Sequence, residues 1–257
     1  MHELSSTIID NAIALIQISH EKKNILNPDI LKRIISLLNG YTEKKIRCAI
    51  LTGSGDSFSA GYEINRLEGD FSVKSDLSEK NKTVLQQSCE AVESLPYPVI
   101  AMIDGFCIGA GFELASCCDF RIASPESRFG ITPAKIGLVY PSSGMKRVIR
   151  IVGETFAREL FLTGKLFSAE RMQQRGFLNY VVEKEKLYDF TLQLASEIRH
   201  NSPVSVRGMK KAFVALANIY EFSKELTTLT EESLVQSDLR EGVTAFYEKR
   251  KPVFTGE

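Results

Sequence analysis

The chain has 257 residues, 44% hydrophobic and 25% charged, with 32 basic and 32 acidic side chains. Such a composition buries most of its unfolded surface and excludes intrinsic disorder, while zero net charge gives no general attraction to phosphate backbones or anionic lipid. No apolar run approaches the ~20 residues that cross a bilayer, and the opening residues 1–6 carry an acid and no basic cluster, so neither a membrane span nor a secretory signal is expected.

Five cysteines, Cys48, Cys89, Cys107, Cys117 and Cys118, lack C-x-x-C spacing. They fit buried reduced thiols in a cytoplasmic protein better than a disulfide framework or a zinc site. Neither nucleic acid nor membrane is expected as a partner.

Thr7–Ile9 and Ala12–Ser19 read as strands joined by a hairpin turn at Asp10-Asn11. Asn27 reads as a helix N-cap with Pro28 at the first helical position. Ile30, Leu31, Ile34, Ile35 and Leu38 supply the apolar stripe, and Gly40 sits where a C-terminal cap belongs. A strand at Cys48–Thr52 leads into a glycine- and serine-rich loop through Gly61, a polar loop over 69–78, and a helix over 79–94 ending before Pro96. The order then recurs: strand Val99–Ile103, turn Asp104-Gly105, a helix over 109–117 opening from small residues, strand Phe120–Ala123, and a loop through Gly130. This alternation predicts an α/β architecture.

From Gly144 the pattern is mostly helical, with segments 144–152, 154–163 and 169–175 stopping at Gly153, Gly164 and Gly176. A short strand, Phe177–Val182, intervenes. Helices follow near 186–199 and from Ser202-Pro203, then a long polar-faced one over 219–240. The chain thus divides into an α/β body, 1–195, and a helical tail, 196–257, either packed on its own core or used for subunit assembly.

Glycine-rich loops raise the question of nucleotide binding. Gly53-Ser54-Gly55 follows a strand, but Phe58 stands where a dinucleotide fingerprint needs its third glycine. Gly105, Gly109 and Gly111 are wrongly spaced for that fingerprint, and neither segment has a P-loop pattern. There is no G-x-S-x-G. His2, His20 and His200 fall at a terminus, after a strand and at a helix end, positions suited to structural roles, which disfavours serine hydrolysis and a catalytic metal.

What remains is specific. The loops 57–63 and 108–113 each run from a buried strand through small residues towards an apparent helix start. That geometry leaves backbone N–H groups unpaired and able to cradle an anionic oxygen. The same small residues could instead serve tight turns and close packing.

The strings Phe58-Ser-Ala-Gly-Tyr-Glu-Ile64 and Ile100-Ala-Met-Ile-Asp-Gly-Phe-Cys-Ile-Gly-Ala-Gly-Phe-Glu-Leu-Ala115 resemble the crotonase superfamily, the enoyl-CoA hydratase/isomerase family. So do Cys118-Asp-Phe-Arg-Ile-Ala123, Phe129-Gly130 and the tail from Glu241 to Pro252, so that the resemblance covers essentially the whole chain. It implies a spiral of β-β-α units with a C-terminal helical trimerisation region. It also implies an acyl-CoA substrate, no cofactor beyond that coenzyme A moiety, and a homotrimer or a hexamer built as a dimer of trimers. The family's oxyanion hole of two backbone N–H groups falls on Tyr62 and Ala110. Coenzyme A contacts would come from Lys22, Lys23, Ser59, Ala60, Gly61, Ile64 and Gly109, with Phe246 and Lys249 reaching across a subunit boundary. The lysines could equally be solvated charges.

A thioester enolate carries negative charge on its carbonyl oxygen, and loss of one fixed N–H donor to such an oxygen typically costs ~2.7–4 kcal/mol. The side chains around the hole select the reaction. Glu113 aligns with the first catalytic glutamate of the hydratases, while the second falls on Pro133, which transfers no proton; hydration is work for paired carboxylates. The stretch Thr132-Pro-Ala-Lys-Ile-Gly-Leu-Val-Tyr140, with Phe190–Ala195 and Glu248–Pro252, resembles the methylmalonyl-CoA decarboxylase branch. There a tyrosine matching Tyr140 contacts the substrate carboxylate, and a histidine stands where this chain has Tyr62. The leading expectation is decarboxylation of a small malonyl-type CoA. Enoyl-CoA hydration or isomerisation through Glu113, and a catalytically silent acyl-CoA-binding relative, are the alternatives. Glu113 could also be a structural ion-pair partner, and Tyr140 a half-buried phenol with a backbone partner.

Overall fold

In a computed structural model that describes residues 3–42, 44–66, 82–217 and 237–253, the chain opens with an antiparallel hairpin of β1 (Glu3–Ile9) and β2 (Ile13–Ser19), Ile9 facing Ile13. Asp10 and Asn11 carry the turn with φ of 49° and 54°, a left-handed pair that these side chains tolerate and that matches the strand twist. Helix α1 (Pro28–Thr42) starts on Asn27, whose Oδ1 accepts the Ile30 N–H at 3.0 Å, and buries Ile30, Leu31, Ile34, Leu38 and Tyr41. It runs through Gly40 rather than stopping there.

Three β-β-α units follow: β3 (Cys48–Gly53), β4 (Ser57–Ser59) and α2 (Val84–Ser94); β5 (Val99–Ile103), β6 (Phe106–Ile108) and α3 (Ala110–Ser116); β7 (Phe120–Ala123), β8 (Arg128–Gly130) and α4 (Ser142–Thr163). The chain continues through β9 (Phe167–Ser168), α5 (Ala169–Gln174), β10 (Tyr180–Val181), α6 (Lys184–His200), α7 (Pro203–Ala217) and α8 (Ser237–Tyr247). In every unit the first strand joins a six-stranded sheet of order β1-β2-β3-β5-β7-β10. The second joins a four-stranded sheet of order β4-β6-β8-β9. All neighbours in the large sheet beyond β1 are parallel, and both of its faces are covered, which is why β3 is a continuous apolar run rather than an alternating one. On one face α6 packs Leu187, Ala195 and Ile198 over Ile13, Cys48, Ile50, Ile100 and Ile122. The opposite face meets the main core, where Phe112 stacks on Phe177 at 4.2 Å.

The small sheet was not expected from the sequence, because none of its strands exceeds three residues and period-two alternation needs more. The expected stop at Gly153 is present as a kink: its φ of 75° and ψ of 157° are not helical and divide α4 into two helical segments. Only Tyr180–Val181 of the expected strand 177–182 pairs as a strand, since the Phe177 and Leu178 N–H groups turn back onto Met172 O. The expected polar loop over 69–78 and most of the helix over 219–240 lie outside the described residues.

Among the described residues, Lys210 and Gly242 mark where the tail meets the body. Lys210 on α7 is buried, and its Nζ reaches Asp119 Oδ2 at 2.6 Å, Tyr97 O at 3.1 Å and Val92 O at 3.3 Å. On α8, Gly242 lies so close to Ile136 that a Cβ would come within 2.4 Å of its backbone. Val204, Met209 and Phe213 of α7 remain exposed. Replacing Lys210 by Met leaves Asp119, 26% exposed, with the Val99 N–H at 2.8 Å, and is expected to cost about 1.5–3 kcal/mol in urea denaturation. Arg199→Met, which removes a surface pair with Asp10, is expected to stay within about 1 kcal/mol.

Candidate active site

Strands β4 and β6 are parallel neighbours, with Ser57 beside Phe106 and Ser59 beside Cys107. Their carboxyl ends therefore emerge at one edge, and the chains leaving them run side by side. After β4, Ser59 Oγ accepts the Gly61 N–H at 3.2 Å and Lys23 O accepts the Ala60 N–H at 2.9 Å. Gly61 takes φ 109°. The next turn of chain bridges to Leu26 through Gly61 O and the Glu63 N–H, at 2.7 and 2.8 Å. In such extended backbone the Tyr62 amide faces the other edge.

After β6, Gly109 is the N-cap of α3 with φ 54° and ψ −117°, and its own N–H is held by Gly130 O at 2.9 Å. The Ala110 N–H is then the first of the helix's amino-terminal amides, which have no carbonyl within the helix. Glycine lets the two loops touch. A Cβ on Gly61 would lie 3.2 Å from Ile108 O and 3.8 Å from Ala110 N, and one on Gly111 would collide with Ser59 Cβ at 2.6 Å.

Glu113 sits one turn into α3 and is 1% exposed. Its Oε1 faces Arg147 Nη1 at 3.4 Å, and its Oε2 has no hydrogen-bond partner among the described residues. Arg147 gives its stronger contacts to Glu93, through Nε at 3.0 Å and Nη2 at 2.9 Å. Burial raises the Glu113 carboxyl above the usual carboxylate range, while the Arg147 charge and the neighbouring Tyr140 phenol act in the opposite direction. The expected ion-pair reading of Glu113 is thus realised only weakly: one long contact to a guanidinium already committed elsewhere.

Tyr140 is buried, with its hydroxyl 3.5 Å from Gly109 O and its ring 5.2 Å from Phe161. Burial and the Glu113 charge push its phenol well above its usual range. Both groups close on Gly144 of α4, where an added Cβ would lie 2.5 Å from Tyr140 Cε1 and 2.8 Å from Glu113 Oε1. Pro133 opens a short 3₁₀ turn, Pro133–Ile136, ended by Gly137 in the left-handed region. Glu126 is exposed beside Lys184 and Asp104, away from this cluster.

The structure therefore brings Ser59, Ala60, Gly61, Tyr62, Gly109, Ala110, Glu113 and Tyr140 into one region. Lys22 and Lys23 lie on the turn against the first loop, Lys23 Nζ standing 4.1 Å over the Phe106 ring. Ile64 begins a 3₁₀ turn and packs against the core. Phe246, near the end of the helix packed against 133–136, and Lys249, in the turn after it, are exposed and lie on neither loop.

Three contributors were not anticipated. Asn24, buried with φ 56°, pins the 20–24 turn to the first loop through Ser54 O at 2.8 Å and Ser57 O at 2.6 Å. Arg121 binds the carbonyls at the end of α3, Cys118 O at 2.5 Å and Ala115 O at 3.4 Å. The Glu93–Arg147 fork backs Glu113. All three are polar residues whose partners lie far away in sequence or across a turn, so no local pattern marks them.

The sequence pattern of the enoyl-CoA hydratase/isomerase family matches residues 8–257. Methylmalonyl-CoA decarboxylase of Escherichia coli (strain K12) is 30% identical over 99% of each chain. A solved structure of a methylmalonyl-CoA decarboxylase, in complex with 2-nitronate-propionyl-CoA, superposes with a TM-score of 0.91 at 30% identity, covering 99% of this chain and 98% of that one. An enoyl-CoA hydratase from Bacillus anthracis superposes with a TM-score of 0.74 at 29% identity over 99% of each chain. The alternating two-sheet spiral, the paired glycine loops and this full-length match together make the chain a member of the enoyl-CoA hydratase/isomerase family, with the crotonase fold.

Proposed function

We propose that this protein decarboxylates a small malonyl-type CoA such as methylmalonyl-CoA. The observation that carries the reading is the closure of Glu113 and Tyr140 on Gly144 beside the two loops, with Pro133 where a hydratase needs its second acid. The C–COO bond breaks, its electron pair passes into the thioester carbonyl, and carbon dioxide leaves. The Tyr62 and Ala110 N–H groups hold the enolate oxygen as its charge grows, the task at which fixed donors outperform water. The Tyr140 phenol orients the departing carboxylate without a cation to hold it back. Glu113, whose carboxyl burial raises above the usual carboxylate range, is assigned the return of a proton to the α-carbon, which gives the saturated acyl-CoA. No base, metal or separate cofactor is needed.

Lys22 and Lys23 are proposed to meet the phosphates of coenzyme A, and Phe246 with Lys249 to reach a neighbouring subunit's ligand. The exposed apolar side chains of α7, Val204, Met209 and Phe213, support residues 196–257 as the assembly region of a homotrimer, or of a hexamer. Free cysteines, all buried, suit a reducing cytoplasm. Hydration or isomerisation of an unsaturated acyl-CoA is the second reading, favoured by a buried carboxyl able to shuttle protons.

Incubation with methylmalonyl-CoA and with crotonyl-CoA, followed by mass spectrometry, is expected to show carbon dioxide loss from the first and no water gain by the second. The reverse result rejects decarboxylation. Glu113→Gln is expected to lower turnover by about 10²–10⁴-fold with coenzyme A binding intact, which a silent acyl-CoA-binding protein would not show. Gly144→Ala favours the helix by up to ~1 kcal/mol yet wedges Tyr140 from Glu113. Its turnover is expected to fall while its melting temperature holds; equal turnover would remove these two groups from the chemistry.

A further inference from the structure

Glu113 does not stand alone behind the loops. From α4, Arg147 turns a buried guanidinium towards two carboxylates and divides itself unequally. Glu93 of α2 takes the fork, two contacts at 3.0 and 2.9 Å, and Glu113 of α3 receives one at 3.4 Å. Arg150, more exposed, adds a second cation to Glu93 at 3.2 Å. A guanidinium satisfied bidentately by one carboxylate has little left for another, and the buried Glu113 Oε2, which has no partner among the described residues, agrees with that even though the Tyr140 phenol also bonds this carboxyl.

We infer that Glu93 is a positioning residue that sets the protonation state of Glu113 by drawing Arg147 away from it. The inference rests on the catalytic role proposed for Glu113. An isolated buried ion pair would place the cation between the two acids or nearest the less exposed one, because that is where desolvation is worst. Here the better-solvated acid holds it, with Glu93 22% exposed against 1% for Glu113. The cluster therefore keeps one carboxylate ionised and leaves the other able to carry a proton into the site.

The remaining groups facing Glu113 are the Tyr140 phenol from the loop before α4, and the Cys89 and Cys117 thiols from α2 and the end of α3. Cys117 Sγ lies 3.1 Å from Glu113 O. A hydrogen bond with Cys117, together with burial, holds the Cys89 thiol well above its usual range, so Cys89 stays neutral while Glu113 titrates. In agreement with the geometry, Glu93 is lowered because Arg147 and Arg150 outweigh its burial.

The test is a carbon-13 carboxyl NMR titration of the full chain labelled at glutamate, with the Glu113 signal assigned by its loss in Glu113→Gln. Wild-type Glu113 is expected to titrate above 4.5, the ordinary glutamate value. In Glu93→Gln the midpoint is expected to fall by about one pH unit or more, because the freed Arg147 turns to Glu113. In Arg147→Gln it is expected to rise by a similar amount. A Glu93→Gln midpoint equal to wild type overturns the inference, as does an Arg147→Gln midpoint that falls.

Turnover of methylmalonyl-CoA provides the second readout. Activity that needs neutral Glu113 is lost as pH rises through its midpoint, so the alkaline limb should move to lower pH in Glu93→Gln. If the NMR midpoint moves and the limb does not, the Glu93–Arg147 linkage stands and the proton-returning role of Glu113 is refuted.

Discussion

The parallel pairing of two three-residue strands is the constraint on which this molecule's chemistry depends. Because β4 and β6 run the same way and lie next to each other, their exits share one edge, and the small residues at 61, 109 and 111 let the emerging backbones touch. Any side chain at Gly111 would drive Ser59 away and push the two loops apart where they leave the paired strands. The large sheet serves this arrangement indirectly. Three of its strands, β3, β5 and β7, hand the chain to the small sheet, so a rigid parallel core fixes the position of backbone amides that no side chain could place as firmly.

Around that frame, the fold spends its buried polar groups on the helix that carries Glu113. Arg121 occupies the carbonyl end of α3, where a cation suits the helix dipole. Glu93 and Arg147 support its side from α2 and α4, and Gly144 admits Tyr140 and Glu113 to the same small space. These contacts come from three different units of the spiral, so the site is assembled only when the units stack. A carboxyl kept buried and incompletely paired is costly to the fold, and its persistence at the edge of the two loops is what distinguishes it from an ordinary core ion pair.

Much of this was legible in the residues. The alternation of strands and helices, the hairpin at Asp10-Asn11 and the two small-residue loops follow from local propensity, and local propensity decided them. The large sheet's strands were found because buried parallel strands are continuous apolar runs, as Cys48–Thr52 and Val99–Ile103 are. The small sheet was not, since three residues carry no periodicity and their pairing joins segments distant in the chain, such as Ser57 with Phe106 and Arg128 with Ser168. Gly153 was legible as a break between two helical segments, since its positive φ does not continue a helix; the direction in which the second segment leaves it is set by packing. Glu113 and Tyr140 were singled out through family likeness, but Glu93, Arg147 and Gly144 were not, because a charge pair spanning 54 positions and a close approach by glycine are tertiary facts.

The central claim is that the Tyr62 and Ala110 amides act together on one thioester oxygen. The most direct measurement is a crystal structure of this protein with an acyl-CoA bound. The account predicts the thioester carbonyl oxygen about 2.7–3.1 Å from both the Tyr62 N and the Ala110 N. A carbonyl oxygen bound by neither amide, or a coenzyme A seated away from the 58–64 and 106–113 loops, would contradict it.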